Sequence, residues 1–274
     1  MTPLKLIQSA PFSAKIGIFM VFIMAVLTLF APMIAPFGET EIIGDVWLDP
    51  GGTYLLGTDN LGRDMLSRLL YGGRNTIAIA FLITTLSFVV GIFLGFLGAT
   101  VGGWLDQLLS RLIDILMAFP TLIFALMILS VVGTSVPALI VVIALLDSTR
   151  VFRISRAVAM DVEVMEFVEV ARLRGEGIWW IMRHEILPNA LPPLVAEFGL
   201  RFCFVFLFIA SLSFLGLGLQ PPTADWGGMV RENSGAITFG MLTPLWPASA
   251  IAFLTVGVNL IVDWFLHLSS GLKD

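Results

Sequence analysis

The chain has 274 residues, of which 58% are hydrophobic and only 13% charged, with a mean hydropathy of +0.97 and a formal net charge of −5. Soluble domains are roughly 45–50% apolar and about 25% charged, so this is not one. The 26 Gly, 14 Pro and 22 Phe are dispersed through long apolar runs, which excludes collagen-like and low-complexity chains. The acidic balance speaks against nucleic acid as a partner, and the single Cys203 excludes a disulfide framework and a cysteine-based metal site.

A bilayer core of ~30 Å needs about 20 apolar residues per helix. Five runs lack Asp, Glu, Lys and Arg: 16–37, 75–105, 115–146, 202–224 and 233–262. The third is too long for one helix, and Gly133-Thr134-Ser135 followed by Pro137 breaks it near its middle, so six spans are expected. The first run follows Lys5 and Lys15 in the manner of a signal peptide. Pro32 and Pro36 crowd the cleavage position, however, and it is expected to stay as an anchor.

Six spans put both termini on one side. Lys5, Lys15, Arg111, Arg150, Arg153, Arg156, Arg172, Arg174, Arg183, Arg201 and Lys273 fall on that side, against Arg63, Arg68, Arg74 and Arg231 opposite. Cytoplasmic termini are therefore expected, which leaves 38–74 outside and 147–189 inside.

In 56–71 outside, Asp59 precedes Arg63 and Asp64 precedes Arg68 by four residues, the order that supports a helix, with Leu61, Met65, Leu66, Leu69 and Leu70 on its apolar face. A short surface helix leading into the second span is expected, either an anchor for that span or an interface with an external protein. In 161–187 inside, Glu163, Glu166 and Glu169 share one helical face and Val164, Phe167, Val168 and Ala171 another. Gly175 and Gly177 interrupt the pattern, and Pro188 is expected to stop the helix that resumes after them. This helix-turn-helix lies either in the headgroup layer or in a groove of a cytoplasmic partner; its acidic face favours the partner.

Glu169-Val170-Ala171, then Gly175, then Leu187-Pro188 resembles the EAA loop of ABC-importer permeases, with Val170 for the middle Ala and Ile186 one place later than the family's Ile, where Glu185 stands. Further stretches are similar to the dipeptide, oligopeptide and nickel branch of that family: Leu56-Gly57-Thr58-Asp59-Asn60-Leu61-Gly62-Arg63-Asp64, Ser67-Arg68, Tyr71-Gly72, Ala118-Phe119-Pro120, Leu187-Pro188-Asn189, the run from Ser211 through Ser213 and Gly216 to Gly218, Gln220-Pro221-Pro222 and Trp226-Gly227. The ordered set identifies the chain as a C-type permease subunit of that branch.

The resemblance implies an all-α membrane protein of the type I ABC importer permease fold, with Glu169, Val170, Ala171, Gly175, Leu187 and Pro188 forming the coupling segment for an ATPase. It implies a bacterial inner-membrane location, a second permease subunit, two cytoplasmic ATPase subunits carrying ATP and magnesium, and an extracytoplasmic solute-binding protein. Members of the branch carry peptides, nickel, sugars and opines; peptides or similar small solutes are the expectation here. The chain itself has no G-x-x-x-x-G-K-[ST] loop, no G-x-S-x-G elbow, and Pro188 where a zinc protease's second His would follow His184-Glu185, so neither an enzyme nor a resident cofactor or metal is expected.

Within this reading, residues 1–75 are the first span with its external loop, 76–268 the permease core with the coupling loop 150–189, and 269–274 a cytoplasmic tail. Ser211, Ser213, Gly216 and Gly218 suit either the outer end of the pathway or close helix packing, and Pro221-Pro222 is expected to end their helix. An ion-coupled secondary transporter is the alternative, with Asp114, Asp147, Glu197, Asn259 and Asp263 as candidate intramembrane ligands. Asn259 is either interhelical glue or part of the pathway. Glu197 and Arg201, acid first and four apart, form an expected pair packed between helices.

Overall fold

The structure is a computed structural model and describes residues 10–270, with side chains to 267, so Lys5, Lys273 and most of the tail 269–274 lie outside the described residues. Its regular elements are helices: α1 (Phe12–Leu29), α2 (Met65–Val101), α3 (Gly103–Met117), α4 (Thr121–Val132), α5 (Val136–Glu163), α6 (Glu166–Leu173), α7 (Leu187–Phe214), α8 (Trp226–Asn233) and α9 (Leu245–Ser270). A single α-turn, Ile178–Ile181, and a π-turn, Met182–Ile186, lead into α7 without a break. Three isolated β-bridges lie between residues 42 and 64.

Four helices are long and apolar enough to cross a bilayer: α1, α2, α7 with its lead-in, and α9. A fifth passage is α3 and α4 together, bent by 87°. The bend follows from Pro120, which has no N–H to continue α3 and instead stands just before α4. Gly133, with φ +99, ends α4, and Ser135 caps α5, so the break within 115–146 falls at Gly133-Thr134-Ser135. The expected sixth span falls in α5, which has 28 residues and an apolar first half, but Asp147, Arg150 and Arg153 enter its middle and it is not among the helices long and apolar enough to cross a bilayer.

Lipid offers no hydrophobic drive between helices, so packing relies on small residues that let backbones approach. The most extensive helix contact, α2 with α5, is built this way. A Cβ on Gly91 would lie 2.6 Å from the Val151 Cβ, and one on Gly95 would lie 2.9 Å from the Arg156 N and Phe152 O atoms. One turn before Gly91, Ser87 donates from Oγ to the Ala144 carbonyl at 3.1 Å. The same device joins α1 to α9, where a Cβ on Gly17 would lie 2.7 Å from the Gly257 carbonyl. One buried cluster, including Ile83, Leu139, Ile143, Phe206, Ile209 and Trp226, fills the space among α2, α4, α5, α7, α8 and α9. A second gathers Phe96, Ala159, Val162, Val168, Ala171 and Ile186 at the end of the bundle that also holds the first turn of α1 and the last turns of α9.

Four local expectations are corrected. Residues 56–64 are loop, and the helix expected over 56–71 begins only at Met65, capped by Asp64, which accepts from Ser67 N at 2.7 Å. It runs on unbroken through the boundary at residue 75. The Glu163, Glu166 and Glu169 face is split, because α5 ends at Glu163 and α6 starts at Glu166. Pro188 does not stop a helix: the π-turn closes through the Leu187 amide on the Met182 carbonyl, which widens the backbone just where Pro188 lacks a donor. The Ser211 helix ends at Phe214, well before Pro221-Pro222, because Gly216 at φ +90 lets the Leu217 amide return to the Leu212 carbonyl.

Gly95→Leu forces overpacking against backbone atoms and is expected to cost about 1–3 kcal/mol, read as a lower melting temperature in detergent. Gly177→Ala, where a Cβ would meet open space, leaves it unchanged.

Candidate functional site

The segment 164–188 crosses the end of the bundle formed by α2, α5 and α7. Its α6 buries Val168 and Ala171 completely on the cluster containing Phe96, Val162, Ile186 and Leu194. Its opposite side exposes Phe167, Val170 and Leu173, the last 82% exposed, beside Glu166 and Glu169. Gly175 sits at φ +83 and completes a Schellman motif: its amide donates to the Arg172 carbonyl at 2.9 Å and the Glu176 amide to the Ala171 carbonyl at 3.2 Å. The Ala171 expected in the coupling segment is thus a buried anchor, Glu169, Val170 and Pro188 are exposed, and Leu187 is half-buried.

Three further groups fix this segment. Arg172 pairs with Glu163 and donates to the Thr100 carbonyl at the end of α2 at 3.2 Å. Arg174 stands 3.9 Å from Glu185 and lies over the Trp180 ring, which also stacks on His184. The two arginine partnerships have no sequence signal, because each joins residues from separate helices or turns.

At the other end of the bundle, 38–64 folds over α2 and α8. Gly57 and Gly62 have φ +76 and +77, and a Cβ on either would lie 2.2 or 2.1 Å from the Leu48 or Gly44 carbonyl. Thr58 donates to the Asp45 carbonyl at 2.6 Å and accepts from Leu48 N at 2.7 Å. Asp59, fully buried, accepts from Leu61 N, Arg63 N and Arg63 Nε at 2.8, 2.9 and 2.6 Å and lies 3.2 Å from Arg68 Nε. Both guanidinium groups also reach Glu232 at 3.2 Å. Acid-before-base spacing therefore marks one buried network that ties loop, α2 and α8 together. Asn233 of α8 extends it to Asn60 N and to the Trp47 indole. Nearby, Asp225 caps α8 and accepts from Thr76 at 3.0 Å, and burial pushes its carboxyl up from the usual range.

Glu197 and Arg201 pair at 2.5 Å, each 13% exposed, and Asp147 of α5 stands 3.8 Å from the same guanidinium at 8% exposure. Asp114 pairs with Arg153 at 2.6 Å on the surface, Asp263 is exposed, and Asn259 is half-buried on α9. Ser211 lines a cavity of about 460 Å³ between α7, α8 and α9 together with Phe214, Gly227 and Ile251. Ser213 and Gly218 are buried against each other instead, a Cβ on Gly218 lying 1.8 Å from the Ser213 Oγ, and Gly216 faces Arg231. The structure therefore sets Ser211 beside the cavity and Ser213 and Gly218 in a packed contact of their own. Among the described residues no three His, Cys, Asp or Glu side chains group to hold a metal ion.

A helical bundle of membrane passages, with a helix docked across one end and an ion-locked loop across the other, is a polytopic membrane protein. A family model described as the binding-protein-dependent transport system inner membrane component matches residues 87–270, and the chain belongs to that family, as the permease subunit of an ABC importer. It is 35% identical to a dipeptide transport system permease protein of Haemophilus influenzae, over 95% of this chain and 88% of that one. It is 34% identical to a di/tripeptide transport system permease protein of Pseudomonas aeruginosa, over 94% and 85%. A glutathione transport system permease protein of Pectobacterium atrosepticum is 31% identical over 82% and 72%. In fold it is similar to a solved amino acid ABC transporter chain, with a TM-score of 0.54 at 20% identity, over 72% of this chain and 92% of that one.

Arg201 serves two carboxylates, so Arg201→Gln leaves both without a cation and is expected to cost about 3–5 kcal/mol, whereas the Glu197→Gln, Arg201→Gln pair is milder. A double-mutant cycle on the melting temperature of the purified subunit checks this; small additive effects count against it.

Proposed function

We propose that the chain is the permease of a peptide importer, with its termini in the cytoplasm, paired with a second permease and served by two cytoplasmic ATPases that bind ATP and magnesium. A solute-binding protein meets the opposite end, at the surface made by 38–64 and 225–243. The observation that carries this reading is the division of α6: a fully buried inner face on α2, α5 and the start of α7, and an exposed apolar outer face that none of the described residues covers. Such a helix transmits displacement. A push on Val170 and Leu173 from an ATPase moves Val168 and Ala171, and with them the helix ends they pack on.

Peptide as the substrate class rests on the relatives, whose names specify dipeptides, tripeptides and glutathione. Ser211, Ser213, Gly216, Gly218 and Asn259 are the proposed pathway or packing positions, of which Ser211 has the cavity beside it. The rival ion-coupled carrier is less well supported, because Asp114, Asp147 and Glu197 each have an arginine at hand.

The test is uptake of a labelled dipeptide by the complete importer in proteoliposomes. Uptake is expected only with binding protein outside and ATP inside; accumulation driven by a proton gradient without ATP overturns the reading. Gly175→Val places a β-branched residue at φ +83, a strain of roughly 1–2 kcal/mol, and is expected to lower uptake by about tenfold and loosen retention of the ATPase.

A further inference from the structure

A groove of about 540 Å³ runs along α2 beside the lead-in to α7, with Val89, Phe93 and Phe96 on one wall and Trp179, Met182 and Arg183 on the other. Its wall on α2 extends from residue 85 to 96, about 16 Å of helix, the length of an acyl chain segment rather than of a compact solute. α2 is long and apolar enough to cross a bilayer, and Val89 and Phe93 are 62% and 46% exposed, so this wall of the groove is open on its outer side.

The groove has a chemically distinct end. Trp179 is 63% exposed with its ring 6.4 Å from that of Phe93, an amphipathic ring of the type that meets lipid headgroups. Beside it stands Arg183, which is exposed and, among the described residues, makes no ion pair, although Arg172 and Arg174 on the same segment each have a carboxylate. A guanidinium without a counter-ion, at the interfacial end of an apolar channel, is complementary to a phosphate joined to an acyl chain.

We propose that this groove binds an anionic phospholipid, with one acyl chain lying along α2 and the phosphate on Arg183. Trp179 and Met182 belong to the turns that carry α6, so the lipid would brace the segment against α2 and tie its mobility to membrane composition. The site requires only that the chain sits in a bilayer; it does not depend on what docks on α6.

The complete importer is placed in nanodiscs of phosphatidylcholine doped with phosphatidylglycerol bearing a photoreactive acyl chain, and the adducts are mapped by mass spectrometry. Adducts are expected to concentrate on residues 89–96 and 179–183, to fall by about fivefold in Arg183→Gln and to persist in Arg183→Lys. Phosphatidylcholine carrying the same chain should label these residues less. Even labelling of α1, α2 and α9 that ignores Arg183→Gln would mean bulk lipid only and overturn the proposal. So would an unlabelled groove in which Trp179→Cys cross-links to another subunit, since a protein would then be the occupant.

Discussion

The crossing of α2 on α5 at Gly91 and Gly95 is the contact on which the rest of the molecule depends. Lipid tails are as apolar as the helices, so nothing but close packing and hydrogen bonds holds two spans together, and only glycine lets main chains come this near. At Gly95 the neighbours are backbone atoms, which no rotamer change can move aside. The 37 residues of α2 make a rod of about 55 Å clamped at this crossing. Arg68 and Thr76 near its start hold the outer loop and α8, while Phe96 and Thr100 near its end hold α6. One helix thus connects the two ends of the permease, and its clamp to α5 sets where both sit.

The two ends are stabilised by opposite means. The outer loop leaves Ile42, Val46, Leu55 and Leu61 exposed, and Asp59, Arg63, Arg68 and Glu232 lock it through charges removed from water. Such a network is strongly destabilised by the loss of one partner and contributes more to geometry than to net stability. Arg68 has both Asp59 and Glu232 within 3.2 Å. The inner end relies on small and aliphatic side chains, Ala159, Val162, Val168 and Ala171, which pack without fixing a single hydrogen-bonded arrangement. The first arrangement resists displacement, and the second tolerates small sliding.

Features governed by one residue type in one place were legible in the sequence. The apolar runs, the break at Gly133-Thr134-Ser135, the left-handed turn at Gly175 and the packed Glu197 and Arg201 pair could all be read locally. Features set by which elements meet could not. Asp59 and Arg63 have the spacing of a helical pair, yet the same four-residue separation closes a loop when Gly62 turns at φ +77 between them, and Glu232, the partner both arginines share, lies far along the chain. Pro188 reads as a stop, and only the preceding π-turn, invisible in periodicity, lets the helix pass. Within the candidate coupling segment the sequence marks Glu169, Val170 and Ala171 alike. Only the fold separates Ala171, which anchors, from Glu169 and Val170, which face outward.

That separation bears on what α6 meets. A helix resting in the headgroup layer presents cations to lipid phosphates. At the end of α6 the arginines already have partners, although each stays about half exposed: Arg172 with Glu163 and the end of α2, Arg174 with Glu185 and the Trp180 ring. Glu166 and Glu169 are left outward beside Val170 and Leu173, with no cation of their own chain paired to them among the described residues. An anionic membrane surface repels such a face, whereas a protein groove with apolar walls and a basic rim fits it. Arg183, a few residues on, carries the opposite sign and lines the groove along α2 instead. The segment therefore separates its charges, and the left-handed turn at Gly175 lies between the acids of α6 and this base.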